Sequence, residues 1–289
     1  RCCRGRRSVT AADQQILAGV GSTARVAFRD QHGETVTPAP GATVTVEVTS
    51  AWAQFAPVTA SASADPTGWT APLPAVPRPD LLTLTWTDNS GTVVSSTVEI
   101  VGGYYGTISE IRGDDRSMID QTMGDPVKFP TGRLVAARRF VEEEFETVCG
   151  RAFVPRYAAV TVTADGHVAL PHPDVRAIHR VTVDGVEIPA PTPASTGTTI
   201  ISGVTGPVSV LYEHGTDRPP QAIVRAFFTR VRHAVNALSS AVPDRASTFS
   251  SENGATYSLL TEGRAGSITA IPSVDAALRA HAYRPGLIG

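Results

Sequence analysis

The chain is poor in cysteine, in lysine and in long apolar runs. Of its 289 residues, three are cysteine, and Lys128 is the one lysine among cations that are otherwise arginine. Cys2 and Cys3 are adjacent and Cys149 stands apart, so the spacing of a disulfide framework or a zinc site is missing. No apolar run reaches the roughly 20 residues that span a bilayer. These absences predict a protein of a reducing compartment without a membrane segment.

Charge is unevenly distributed along the sequence. Residues 1–12 hold four arginines and no acid, whereas residues 13–102 hold eight acids and three arginines, and the net charge of the chain is -2. A flexible basic arm is therefore predicted at residues 1–12, where phosphate or a capsid surface would be its partner. The rest of the chain lacks the excess of cations that marks a nucleic-acid surface.

Residues 13–102 carry the pattern of short β-strands. Stretches such as "ATVTVEVTS" and "LLTLTWTD" alternate apolar and polar residues, and "PAPG", "DPTG" and "DNSG" between them are turn-like. This spacing predicts an antiparallel sandwich, immunoglobulin-like in architecture. Trp69 and Trp86 are interpreted as core residues of this sandwich.

Beyond Gly103 the pattern becomes mixed. A short helix is expected around Ile108 to Ile111, a long one from a Thr131 cap to a Gly150 stop, and further helices after Pro219-Pro220 and from Pro272. The long helix has an apolar stripe made of Leu134, Val141, Phe145 and Val148. Several strands, including a turn at Asp184-Gly185, and a polar hairpin at residues 248–268 complete the pattern. The predicted fold is α+β, with the sandwich followed by a mainly helical domain that carries a small β-sheet, an extended hairpin and a tail.

The sequence offers little enzymatic chemistry. His167, His172, Asp174 and His179 are residue types that bind metals, but Pro171 and Pro173 remove them from any helical spacing. Consecutive glutamates of the long helix point about 100° apart and do not converge on one atom. Motifs of serine hydrolases, P-loop proteins and zinc proteases do not occur. No enzyme, cofactor or metal is predicted, and a metal-dependent hydrolase built on the histidines is the minor alternative.

Residues 103–289 resemble the head-to-tail adaptor (connector) proteins of tailed bacteriophages, especially those of actinobacteriophages. The resemblance lies in "GGYYGTISEIRGDD", "LVAARRFVEEEFETVCGRAFVPR" and "DVRAIHRVTVDG", followed by "RPPQAIVRAFFTRV", "VPDRAS" and "IPSVDAAL". The β-domain before Gly103 departs from the minimal family and resembles the immunoglobulin-like additions of phage structural proteins. The resulting domain expectation is a 1–12 arm, a 13–102 sandwich, a 103–130 linker with a short helix and a 131–289 adaptor domain.

The resemblance implies a structural virion protein of the head–tail neck that assembles in the host cytoplasm. It would form a ring of about twelve copies beneath the portal protein. The ring would join the capsid to the next neck or tail-completion protein and would extend the channel through which double-stranded DNA passes without sequence-specific binding. A virion decoration or host-surface module that binds glycans through Trp52, Trp69 and Trp86 of the sandwich is the alternative function.

Three groups of residues are the expected contact sites of such a ring. Opposite charges on the long helix would fix the register between neighbouring subunits or line the channel, although a solvated face is the competing interpretation. The family's C-terminal tail reaches the portal, and the hairpin would contact the neck protein or a neighbouring subunit. The candidates are Arg138, Arg139, Glu142, Glu143 and Glu146 for the helix; Tyr283, Arg284, Leu287 and Ile288 for the tail; and Phe249, Tyr257, Leu259 and Leu260 for the hairpin.

Overall fold

The computed structural model of the chain divides it into two compact units. It describes residues 12–28, 32, 34–35, 43–50, 55–62, 68–113, 123–194, 197–237, 248–250, 256–258 and 268–284. The first unit comprises Arg1–Gly103, Pro155–Pro171 and Val175–Gly215, and the second comprises Tyr104–Val154, His172–Asp174 and Thr216–Gly289. A unit is therefore not one continuous stretch of sequence, and the domain ranges expected from the sequence stay a prediction.

Seven strands of the first unit form one sheet. They are β1 (Gln14–Leu17), β2 (Ser22–Val26), β3 (Val44–Thr49), β4 (Val58–Ala62), β5 (Trp69–Leu73), β6 (Asp80–Asp88) and β7 (Val93–Val101), in the spatial order β1-β7-β6-β3-β4-β5-β2. Alternate residues of β3 and β6 are buried, as their period-2 sequences predict. Trp69 and Trp86 lie in this core as predicted, and the indole nitrogen of Trp86 donates a 2.8 Å hydrogen bond to Ser96 Oγ.

The side chain of Gln14 links the two ends of this sheet. β1 and β2 are the terminal strands of the spatial order. The Gln14 amide nitrogen donates to the carbonyl oxygen of Arg25 on β2 at 2.5 Å, and the Arg25 N–H donates to Gln14 Oε1 at 3.1 Å. The side-chain amide of Gln14 thus supplies the donor and the acceptor that the backbone of a neighbouring strand would supply. With its two end strands linked in this way, the sheet is nearly a closed barrel.

The first unit also contains a four-stranded sheet with a core of its own. Its strands are β8 (Arg156–Pro173), β9 (Val175–Val183), β10 (Val186–Ile188) and β11 (Thr198–His214), in the order β10-β9-β11-β8. The predicted turn at Asp184-Gly185 is confirmed, because both residues have positive φ and connect the antiparallel pair β9 and β10. Val181, Val208, Val210 and Tyr212 are fully buried in this core.

The helices lie in the second unit. They are α1 (Ile108–Gly113), α2 (Thr131–Cys149), α3 (Gln221–Ala237) and α4 (Pro272–His281), and the strands β12 (Thr248–Ser250) and β13 (Thr256–Ser258) pair antiparallel. The predicted stripe of α2 is confirmed, since Leu134, Val141 and Phe145 are fully buried and Val148 is partly buried. Gly150 ends α2 in the left-handed conformation, with a φ of 64°.

The predicted cap of α2 is wrong. Thr131 is the first residue of the helix, and Pro130 occupies the N-cap position without a side-chain hydrogen bond. Thr131 Oγ1 instead accepts a hydrogen bond from Arg112, whose guanidinium also binds the carbonyl oxygens of Met123 and Phe129. The hydroxyl therefore ties the start of α2 to the end of α1.

The predicted fold class is also wrong. Strand makes up 43% and helix 24% of the residues that the structure describes, so these residues form no mainly helical domain after the first β-sheet. The expected two-sheet sandwich is one near-barrel sheet, because β4 pairs with both β3 and β5. In the second half of the sequence, β8 and β11 extend for 18 and 17 residues and continue through prolines and glycines. Gly166, Gly203 and Gly206 adopt positive φ inside these strands, which lets a strand bend without ending.

Candidate functional site

The charged residues of α2 do not share one exposed face. Glu142 is completely buried, and Arg138 is 5% exposed to solvent. Glu143 is exposed, and Arg139 and Glu146 are half-buried. A simple amphipathic helix would carry all five on the side opposite the apolar stripe. Their proposed contacts with neighbouring subunits or the channel stay a prediction, but burial limits Arg138 and Glu142 to contacts within the chain.

Glu142 holds the segment that leads into α1. The backbone N–H of Tyr105 donates to Glu142 Oε1 at 3.0 Å, and the Tyr105 hydroxyl lies 3.3 Å from Glu146 Oε1. The Tyr105 ring packs against Phe153 and Phe227, with centroids 5.9 and 5.8 Å away. Since a buried N–H without an acceptor is costly, Glu142 serves the core rather than a catalytic or binding surface.

Arg138 also serves this part of the fold. Its guanidinium carbon lies 3.6 Å from the centre of the Tyr104 ring, the geometry of a cation–π contact. The buried Nε atom of Arg138 has no hydrogen-bond partner among the described residues. Arg138 and Glu142 therefore hold consecutive residues, Tyr104 and Tyr105, against one side of α2.

An ion pair that the sequence analysis did not single out joins α2 to α3. Arg230 donates two 2.8 Å hydrogen bonds to Glu144, one to each carboxylate oxygen, and the side chains are 4% and 16% exposed. A third Arg230 nitrogen lies 3.2 Å from His233 Nδ1. Because a guanidinium can only donate, this Nδ1 atom is the acceptor. Phe140, which is 53% exposed, lies with its ring centre 5.8 Å from the Arg230 guanidinium.

The C-terminal segment lies at the end of α2. The Tyr283 N–H donates a 2.7 Å hydrogen bond to the carbonyl oxygen of Cys149. Burial raises the pKa of the Cys149 thiol to about 11, so this thiol stays protonated in neutral solution. Arg284 is exposed, and the predicted portal contacts Leu287 and Ile288 lie outside the described residues. The contact of this tail with a portal stays a prediction.

The hairpin candidates are described in part. Phe249 of β12 stands opposite Tyr257 of β13 in the antiparallel register. Leu259 and Leu260 lie outside the described residues. A role of this hairpin in contacts with a neck protein or a neighbouring subunit stays a prediction.

The histidine candidates have separate surroundings. His167 is exposed on β8, and His179 lies 3.4 Å from Glu213 of β11. Asp174 forms a 2.6 Å ion pair with Arg151. Within the part of the chain that the structure describes, no group of three histidine, cysteine, aspartate or glutamate residues is arranged to hold a metal ion.

No protein-family model matches the chain, and no curated protein matches it. Among the helices described above, none combines the length and the apolar character needed to cross a membrane.

Proposed function

We propose that this protein is a head-to-tail adaptor of a tailed bacteriophage. It forms a ring beneath the portal, joins the capsid to the tail and extends the DNA channel. The portal protein and the next neck or tail-completion protein are its neighbours in the virion. The proposal rests on the resemblance of residues 103–289 to this family, together with the way in which the resembling segments pack.

The observation that carries the proposal is the common core of four of the six resembling segments. Of the other two, "DVRAIHRVTVDG" lies in β9 of the four-stranded sheet and "VPDRAS" lies outside the described residues. Residues far apart in the sequence belong to one buried cluster: Tyr105 precedes α1, Phe145 lies on α2, Phe227 on α3 and Leu278 on α4. Each of these four belongs to a stretch that resembles the adaptor family. A shared core is expected if the resembling segments make up one module, and it is not expected of scattered chance similarities.

The alternative function as a glycan-binding decoration finds less support. Trp69 is 4% exposed and Trp86 is fully buried, so neither ring offers a face to a sugar. Trp52, the third residue of that alternative, lies outside the described residues. We therefore keep the adaptor as the single proposal.

Cryo-electron microscopy of the virion neck, reconstructed without imposed symmetry, tests the proposal. We expect density for this chain in a closed ring at the vertex where head joins tail. A phage lacking the protein should accumulate DNA-filled heads without tails. Density at any other place on the particle, or single scattered copies, contradicts the proposal.

A further inference from the structure

The strand β8 forms one end of the four-stranded sheet. It follows β11 in the order β10-β9-β11-β8, and no other described strand of the sheet borders its second edge. The hydroxyl of Thr161 on β8 donates to Ser209 Oγ on β11 at 3.3 Å, so β11 lies on the inner side of this part of the strand. An end strand turns alternate N–H and C=O groups away from its sheet, and a further strand can pair with them.

The other ends of the two larger sheets are protected against such pairing. Gln14 links the end strands of the seven-stranded sheet, and β10 has three residues, among them the exposed Glu187. Short strands and charged side chains are usual means by which proteins discourage pairing at a sheet edge. Residues 158–164 of β8, "AAVTVTA", contain no charge, proline or glycine and are rich in β-branched residues. We call this unprotected stretch the β8 edge.

The apolar core of the four-stranded sheet is incomplete at the β8 edge. Val160 and Val162 pack against this core but are only partly buried, whereas Val208 of the neighbouring β11 is fully buried. Thr161 and Thr163 point to the opposite face and are exposed. A strand added at this edge would therefore remove the two valines from water and would place side chains beside the two threonine hydroxyls.

The sequence of the β8 edge reads almost the same in both directions. In an antiparallel pair of two such edges centred on Thr161, each position faces a residue of similar character. The facing positions are Thr161 with Thr161, Val160 with Val162 and Ala158 with Ala164, and the unlike positions join alanine to threonine. Because side chains alternate along a strand, the valine pairs extend the buried face and the threonine pair lies on the exposed face.

We infer that two copies of this chain pair through the β8 edge, antiparallel and about a twofold axis near Thr161. The two four-stranded sheets then become one continuous sheet. A second copy fits this edge better than an unrelated strand, because the match arises when the sequence faces its own reverse. Such a contact is isologous, whereas a closed ring needs a heterologous contact. The pairing therefore goes beyond the proposed function and concerns the free protein.

Charges introduced at Thr161 test the pairing, because this residue would face its own copy. Two anions meet in Thr161→Glu and two cations meet in Thr161→Arg. We expect each full-length variant to dimerise about tenfold more weakly than the unmodified protein in sedimentation velocity over a range of concentrations. The controls are Thr83→Glu and Thr83→Arg, the same changes at an exposed threonine of β6, which has a strand on either side. They should leave dimerisation unchanged, and far-UV circular dichroism checks that every variant keeps its fold.

Mixing the Thr161→Glu and Thr161→Arg variants gives the sharpest result. The glutamate of one copy then faces the arginine of the other, so dimerisation should recover in the mixture alone. Damage within one chain cannot be rescued in this way. An unmodified protein that stays monomeric at every concentration, equal weakening by the controls, or failure of the mixture to recover overturns the pairing. These results leave the adaptor function standing, because that function is tested by the ring in the virion.

Discussion

Removing the carboxylate of Glu144 should lower the free energy of unfolding of the second unit far more than removing the carboxylate of its neighbour Glu143. The Arg230 side chain is 4% exposed and donates two 2.8 Å hydrogen bonds to Glu144. Arginine keeps its charge, so Glu144→Ala leaves a buried cation without its counter-ion, a change that costs about 3–5 kcal/mol. Glu144 is itself 16% exposed and His233 still accepts one hydrogen bond, so we expect about 3 kcal/mol.

Urea unfolding followed by circular dichroism at 222 nm measures this loss, since the described helices all belong to the second unit. Tryptophan fluorescence follows the other unit separately, because all three tryptophans precede Gly103. Glu143→Ala is the matched control and should change the free energy of unfolding by less than about 0.5 kcal/mol. Replacing both partners by apolar residues, as in Arg230→Met with Glu144→Leu, should cost less than Glu144→Ala alone. A difference below about 1 kcal/mol between the two single alanine variants refutes the reasoning.

Three further outcomes are expected. Gln14→Leu removes both hydrogen bonds to Arg25 and should lower the stability of the seven-stranded sheet by about 1–2 kcal/mol, measured by tryptophan fluorescence in urea. Cys149 has a pKa raised to about 11, so peptide mass spectrometry should find it unmodified by iodoacetamide in the folded protein up to about pH 9.5 and modified in urea. Gly106→Ala would place a Cβ atom 2.8 Å from the Phe228 ring and should cost about 1–3 kcal/mol by circular dichroism, and an unchanged stability would contradict this packing.

The sequence predicted those elements whose signal is local. Four features were predicted from residues close together in the sequence. They are the stripe of α2, the glycine at its end, the turn at Asp184-Gly185 and the burial of Trp86. Such signals depend on side-chain periodicity and on backbone conformations that few residues can adopt. They do not depend on which segment packs against which.

The errors arose where distant pairing decides the structure. Prolines and glycines in "ADGHVALPHP" and "SGVTG" resemble strand ends, yet β8 and β11 continue through them as neighbouring strands of one sheet. The joining of seven strands into one sheet likewise depends on β4 pairing with two partners. Neither pairing leaves a pattern within the strand's own sequence, so the fold class could not be predicted correctly.

The burial of Glu142 has the same origin and changes how the charged helix is interpreted. An amphipathic pattern assigns every charged residue to the exposed side, which holds when a helix packs on one neighbour. α2 is covered by α3 on one side and by the Tyr104–Tyr105 segment on another, so its exposed arc is narrower than its polar arc. Charges inside the covered arc are bound within the chain, and Glu143 is exposed on the remaining arc. The exposed part of the charged face is therefore narrower than the sequence suggested, and it includes Glu143 but neither Arg138 nor Glu142.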